Sequence, residues 1–189
     1  MRKVKLQMQL SLDGFVAGPN GEMDWMTWNW DDKIKDYVSD LTEPVDTILL
    51  GRKMAAGFID HWAKVALDPG NEGYTFGRKM TDTPKVVFTR SLEQSEWDNT
   101  MLAKGDLATE ISRLKKQEGG DIILYGGAGF VSSMIEANLI DEYHLFVNPA
   151  IIGDGLGIFK EVSQRTNLNL VKTTAFDCGI VTLCYQPVR

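Results

Sequence analysis

Apolar residues recur along this chain with two periods, and the switches between them mark out its elements. Val4, Leu6, Met8, Leu10 and Leu12 alternate with other residues and predict a first strand over residues 3–12. Residues 13–30, with Gly14, a Gly18-Pro19-Asn20-Gly21 turn and Trp25, Trp28 and Trp30, read as loop. Asp31-Asp32 can cap a helix carrying Ile34, Tyr37, Val38 and Leu41 on one face, stopped by Pro44. Residues 45–50 suit a buried strand, and beyond Gly51 the residues Met54, Phe58 and Trp62 fall at helical spacing. Residues 66–82, with Pro69-Gly70 and Gly73, read as an irregular surface loop. A third strand with a polar exit is expected over residues 84–91 and a short one over 100–103. Asp106 caps a helix with Leu107, Ile111 and Leu114 on one side, ended by Gly119-Gly120.

The next stretch changes period within a few residues. Ile122 to Tyr125 has the length and branching of a buried strand and runs into Gly126-Gly127-Ala128-Gly129; beyond it Phe130, Val131, Met134 and Ile135 recur at helical spacing. Residues 142–148 alternate as a strand, Pro149 with Gly153, Gly155 and Gly157 makes a loop, and residues 168–176 and 180–186 form an antiparallel hairpin around Asp177-Cys178-Gly179. Strands alternating with helices, then strands alone, predict an α/β fold: a single domain over residues 1–189, with a mostly parallel central sheet and an antiparallel C-terminal hairpin.

In such sheets ligands gather beyond the carboxyl ends of the strands. Three predicted strands end in matched chemistry: Gly51-Arg52-Lys53, Thr89-Arg90-Ser91 and Gly126-Gly127-Ala128-Gly129. The glycine turn leaves unpaired N–H groups at a helix start, and without a Cβ in the way a phosphate can approach them. Arginine forks and hydroxyls complete an acceptor shell for phosphate oxygens. Ser132 stands where a dinucleotide fingerprint would have its third glycine. Together the three endings point to a dinucleotide with an extra phosphate, NADPH in preference to NADH, because no acidic ribose-binding residue follows the glycine turn.

Composition narrows the partners. The net charge of −6 argues against nucleic acid or an anionic membrane as the main partner, so any phosphate site must be a local basic cluster. No apolar run reaches the ~20 residues of a membrane span, the first residues alternate where a signal peptide would be apolar, and a cytoplasmic location is expected. Cys178 and Cys184 are expected on one strand, too far apart to bridge, and His61 and His144 show no metal-ligand spacing, so no metal is expected. His61 reads as a surface helix residue and His144 as structural. Phe146, Val147, Ile151, Ile152, Leu156, Ile158 and Phe159 offer an apolar surface for a homodimer.

The ordered segments Ser11-Leu12-Asp13-Gly14-Phe15-Val16-Ala17, Leu50-Gly51-Arg52-Lys53-Met54, Thr89-Arg90-Ser91 and Tyr125-Gly126-Gly127 resemble those of dihydrofolate reductase-like proteins. Leu139-Ile140-Asp141-Glu142, followed by Pro149 and Gly153-Asp154-Gly155, is similar to the C-terminal reductase domain of bifunctional riboflavin-biosynthesis proteins. The resemblance spans essentially the whole chain. It implies the dihydrofolate reductase-like three-layer α/β/α fold, hydride transfer from NADPH to a small heterocyclic substrate, and pairing of subunits. By the same resemblance Gly51, Arg52 and Lys53 would approach the pyrophosphate and 2′-phosphate. Thr89, Arg90 and Ser91 would hold the 2′-phosphate and ribose, and Gly126, Gly127, Ala128 and Gly129 would cradle the pyrophosphate. Val16 and Ala17 would border the nicotinamide, with Gln9 and Tyr125 near the ring from the cleft floor.

The substrate side departs from both groups of relatives. Phe15 stands where riboflavin-pathway reductases carry a basic residue, and Tyr125 where they have an acidic one, which weakens the case for a ribosylaminopyrimidine phosphate. Folate reductases place a carboxylate on the first helix; Asp31, Asp32 and Asp36 are the candidates here, with Asp32 favoured and an N-terminal cap as its alternative. Asp13 can bind substrate or hold the Asp13-Gly14 turn, and Trp25 and Trp62 are candidates to line an aromatic pocket. By family resemblance the leading activity is a 5-amino-6-(5-phosphoribosylamino)uracil reductase-like one. Dihydrofolate or pterin reduction is the alternative, with an NADPH-binding module lacking turnover, or a structural subunit with an empty cleft, as readings from other classes.

Overall fold

Strands that are apolar on both faces need helices on both sides to remove them from water. The chain meets that need in a computed structural model that describes residues 1–188. Five helices lie beside the sheet: α1 (Asp32–Thr42), α2 (Arg52–Val65), α3 (Tyr74–Asp82), α4 (Leu107–Lys116) and α5 (Ala128–Glu136). The main sheet has the strands β1 (Val4–Leu10), β3 (Val45–Gly51), β4 (Lys85–Phe88), β5 (Thr100–Ala103), β6 (Asp121–Gly126), β7 (Glu142–Val147), β9 (Leu168–Ala175) and β10 (Val181–Pro187). Their order is β5-β4-β3-β6-β1-β7-β10-β9. The six strands from β5 to β7 run parallel, whereas β10 is antiparallel to both β7 and β9, so the expected α/β sheet with its antiparallel end is present.

Each face of the sheet carries its own packing. On one face Ile111 and Leu114 of α4 and Val131, Met134 and Ile135 of α5 pack on Val4, Leu6, Met8, Leu10, Ile122 and Leu124. Each fully buried aliphatic chain here contributes roughly 1.5–3 kcal/mol from burial. The opposite face has two apolar clusters. Phe58 of α2 and Met80 of α3 cover Ile48, Leu50, Val87 and Ile123, joined by Leu41 at the end of α1. Ile34 and Val38 of α1 cover Phe146, Phe176 and Ile180. β1 lies between these two clusters, and its side chains on that face are Lys5, Gln7 and Gln9.

Several expectations are corrected. Residues 74–82 form α3 where a loop was expected: Gly77 packs against Val65 and Met80 is fully buried, so close approach to α2 outweighs the helix-weakening glycine. Residues 15–17 form a strand, β2 (Phe15–Ala17), paired antiparallel with β8 (Leu156–Gly157) inside the expected 153–157 loop. Leu12 lies beyond β1 and is 63% exposed, because the strand ends at Leu10. Cys178 sits in the turn before β10 and Cys184 within it, both as free thiols. Phe146 and Ile158 are fully buried and belong to the core; Ile151, Leu156 and Phe159 are exposed.

Candidate active site at the carboxyl edge

β3 and β6 are neighbours, so the helices that follow them start side by side. Gly51 caps α2 and Gly127 caps α5, and neither helix start has a side-chain cap. A Cβ built on Gly51 would lie 2.8 Å from Phe130 Cβ and 3.2 Å from the Gly127 nitrogen, so glycine is what lets the two helix starts approach. The first helical bond of α5 runs from the Val131 N–H to the Gly127 carbonyl, which leaves the preceding N–H groups outside the helix ladder. Nothing lies within 4 Å of the Cβ position at Gly129. The Gly126–Gly127 peptide is cis and Gly126 has φ 137°, a region suited to glycine. Two positive dipole ends thus share one approach, a setting that favours an anion.

The cations predicted for this edge are here and unspent. Arg52 and Lys53 begin α2, Arg90 follows β4, all three are exposed, and none has an ion pair among the described residues. Thr89 is buried and its Oγ1 accepts from the N–H groups of Ser91 at 3.2 Å and Leu92 at 3.1 Å. Thr89 therefore shapes the turn that presents Arg90 and the exposed Ser91. Ala128 and Gly129 open α5, and these residues with Gly51 and Gly127 could cradle a phosphate-bearing cofactor. Residues of β1, β3, β4 and β6 are brought to one edge by the parallel register.

Beside this cradle the strands β1 and β6 carry polar side chains among the apolar ones. Gln7, Gln9 and Tyr125 project on the face opposite the α4–α5 core. Gln9 Oε1 accepts from Asn148 Nδ2 at 2.7 Å. Tyr125 packs on Phe58 with ring centroids 5.2 Å apart, and its hydroxyl is buried with no hydrogen-bond partner. Burial pushes that hydroxyl well above the ordinary tyrosine value. Gln7 Oε1 is likewise buried and unpartnered.

The remaining candidates divide. Val16 and Ala17 are buried in β2, at the carboxyl end of β1. The Asp13 carboxylate accepts from the N–H of Gly153 at 2.8 Å and of Ile152 at 3.2 Å, tying the turn after β1 to the segment before β8. The Ser11 hydroxyl and these N–H groups hold its pKa below the ordinary range. Trp62 packs edge-on with Phe58 and Phe76, in the α2–α3 layer. Trp25 is half-buried and donates to the Glu22 carbonyl at 3.2 Å. Asp31 is the cap of α1, accepting from Ile34 N–H at 2.9 Å, and Asp32 is exposed in the first turn.

One neighbour of the floor went unread in the sequence. Asn148 is fully buried and ties the tryptophan-rich segment to β1, accepting from Thr27 N–H at 2.9 Å while donating to Gln9. Its place at the end of an alternating strand carried no signal of that role. His144, read as structural, has Tyr37 Oη 2.8 Å from Nδ1 and Glu142 3.4 Å from Nε2. Among the described residues no group of His, Cys, Asp and Glu suits a metal ion, and no helix is long and apolar enough to cross a membrane.

The RibD C-terminal domain model matches residues 2–182. The chain belongs to that family. Its fold is accordingly of the dihydrofolate reductase-like kind. It is 36% identical to the uncharacterized protein YyaP of Bacillus subtilis (strain 168), over 98% of this chain and 95% of that one. A Shewanella sp. PV-4 structure described as a riboflavin biosynthesis protein superposes with a TM-score of 0.74 at 20% identity, covering 100% of both chains. The Thermotoga maritima diaminohydroxyphosphoribosylaminopyrimidine deaminase/5-amino-6-(5-phosphoribosylamino)uracil reductase superposes with a TM-score of 0.69 at 18% identity, over 99% of this chain and 57% of that one. At these identities the two structures speak for the fold. Family membership supports a reductase-like domain, and with it an oxidoreductase.

Proposed function

We propose that this protein is an NADPH-dependent reductase of a small planar heterocycle. The reading rests on one observation above the others: the uncapped starts of α2 and α5 lie together, with the unpaired cations Arg52, Lys53 and Arg90 on the same edge. The residues fit the cofactor, because the glycines leave room where phosphates must approach and the arginines supply bidentate donors. Gly51, Gly127, Ala128 and Gly129 would take the pyrophosphate; Arg52, Lys53, Thr89, Arg90 and Ser91 the 2′-phosphate and ribose. Val16 and Ala17 would border the nicotinamide.

NADPH, when bound, supplies the hydride. The chain's own residues act by position. The β2–β8 pair, anchored by Asp13, fixes the segment that bounds the site and limits water there. Gln9 and Tyr125 bound the heterocycle from the floor. Reduction of a ribosylaminopyrimidine is the leading activity by family, with pterin reduction as the second. Phe15 and Tyr125, at positions where the riboflavin-pathway relatives carry charge, keep that second reading open.

The test is a titration of the protein with NADPH and with NADH, followed by tryptophan fluorescence, with Arg90→Ala beside the wild type. The expected result is preference for NADPH, weakened roughly 10–100-fold in the variant by loss of a charge-assisted contact, with NADH affinity unchanged. Absence of binding by either dinucleotide would sink the reductase reading.

A further inference from the structure

Charge is divided along the carboxyl edge. Its unpaired cations, Arg52, Lys53 and Arg90, all follow β3 and β4, and Lys104 after β5 is tied to the Glu93 carbonyl at 2.7 Å. The other half of the edge is a lobe made by the segments that follow β1 and β7, residues 11–31 and 148–159. Hydrogen bonds join the two segments. Leu12 N–H donates to the Ala150 carbonyl at 2.7 Å, Thr27 N–H donates to Asn148 Oδ1 at 2.9 Å, and β2 pairs with β8.

No lysine or arginine occurs between Lys5 and Lys33, or between Lys116 and Lys160, so the lobe has no cation of its own. Its ionisable side chains are Asp13, Glu22, Asp24, Asp31 and Asp154, all carboxylates. The helix start that adjoins it, that of α1, is already capped by Asp31, which accepts from Ile34 N–H at 2.9 Å. On α1 itself Lys33 meets Asp177 at 3.5 Å, and the exposed Lys35 stands among Asp31, Asp32 and Asp36. The lobe shows solvent apolar side chains instead: Leu12, Trp28 and Ile151 are each more than half exposed. A phosphate monoester carries about −1.5 to −2 charge at neutral pH and is held by arginine, lysine or free helix-start N–H groups. The half of the edge beside β3 and β4 has those donors for a cofactor. A second phosphate, carried by the substrate, would meet like charge and none of them.

We infer that the hydride acceptor is an uncharged planar heterocycle with no phosphate or carboxylate arm, and that the lobe after β1 and β7 selects against anions. The inference rests on the proposed reductase site, in which Val16 and Ala17 of this lobe border the nicotinamide. It narrows the substrate class of that site and departs from the phosphorylated pyrimidine that family association favours. The selection is electrostatic and acts between exposed groups, whose interaction is screened over ~8 Å at physiological ionic strength. It therefore weakens as salt rises.

The probes are two pairs that differ in an anionic arm: riboflavin against its 5′-phosphate, and 6-hydroxymethylpterin against pterin-6-carboxylate. Each is titrated into the protein saturated with NADP⁺, at low and at physiological salt, and followed by the fluorescence anisotropy of the probe. The neutral member of a pair is expected to bind at least about tenfold more tightly at low salt, with a smaller ratio at physiological salt. Ile151→Lys and Leu12→Lys each place a cation at an exposed position of the lobe, and should lower the ratio about threefold or more by strengthening the anionic member. NADP⁺ affinity, read in the same samples, is expected to stay within about threefold, which a general loss of structure would not allow. Equal or tighter binding of the anionic members in wild type would overturn the inference. So would a ratio that neither lysine variant moves, or a complex with NADP⁺ that binds neither neutral probe. Failure to bind NADP⁺ at all is a separate result and strikes the reductase reading.

Discussion

The two edges of the parallel sheet carry the same kinds of side chain and use them in opposite ways. At the amino edge four cations are spent. Arg2, with 4% of its side chain exposed, pairs with Asp46 and donates to the Gly120 carbonyl at 2.7 Å and Thr47 Oγ1 at 2.7 Å. Lys3 meets Glu142 at 2.7 Å, Lys5 meets Asp121 at 2.7 Å, and Lys115 meets Asp141 at 2.6 Å. At the carboxyl edge Arg52, Lys53 and Arg90 stand exposed and unpaired beside two open helix starts. An open depression at the amino edge is lined by Arg2, Asp46, Lys79, Asp82 and Glu118, and its main cation is already saturated within the fold. The difference separates charge that holds the sheet from charge kept for something else.

The sharpest way to break that division is Arg2→Ala. It strands the Gly120 carbonyl and the Asp46 carboxylate, and a loss of about 3 kcal/mol is expected from urea unfolding. That corresponds to roughly 6–12 °C in Tm for a chain of this size. NADPH affinity should not change. Arg90→Ala is the mirror image, moving affinity while leaving stability within ~0.5 kcal/mol. If Arg2→Ala altered cofactor affinity at constant temperature, the two edges would not be independent.

Next in size is Gly51→Ala, which drives a Cβ to 2.8 Å from Phe130 Cβ and should part the two helix starts. A cost of about 1–3 kcal/mol is expected, with weaker NADPH binding. Gly57 in α2 is the internal control, because nothing lies within 4 Å of its Cβ position. Gly57→Ala should stabilise by ~0.5–1 kcal/mol through helix propensity and leave binding alone.

Much of this contrast was legible beforehand. The 3.6 and 2 periods located α1, α2, α4, α5 and most strands, and the three strand endings named the carboxyl-edge residues. What failed has physical causes. α3 was hidden because Gly73 and Gly77, read as loop residues, serve a close approach to Val65. Arg2 and Lys5 look like solvated terminal cations and are buried, since only the fold reveals Asp46 and Asp121 beside them. The alternation of β1 marked a strand but not its place, which is mid-sheet between β6 and β7. The role of Asn148 depends on Thr27, which is 121 residues away.

Smaller effects sharpen the amino edge further. Glu142 is held down to about 2 from its ordinary 4.5 by the His144 ring and by Lys3 and Lys5. A carboxylate with a depressed folded-state pKa contributes stability that is fully present above its unfolded value. That contribution is lost as pH falls from about 4.5 toward 2. Urea midpoints taken between pH 6 and 2 should therefore drop, with about 1–2 kcal/mol of the loss belonging to this group. Lys3→Met should reduce the slope over that window, and an unchanged slope would remove Lys3 as a cause.

The smallest expected change concerns the acid itself. Asp31, not Asp32, caps α1, and its other oxygen accepts from Asp177 N–H at 3.1 Å. Asp32, Asp36 and Asp40 follow one another at fourfold spacing along the exposed side of α1, whereas Ile34, Val38 and Leu41 are buried. That side faces solvent, so Asp32 reads as a helix-start charge. Asp32→Asn should change stability by no more than ~0.3–1 kcal/mol, the worth of one charge at a helix start, and leave turnover of any heterocycle within twofold. A hundredfold loss of turnover with NADPH binding intact would restore Asp32 as the proton donor. The contrast between a finished edge and a waiting one would then extend to the start of α1.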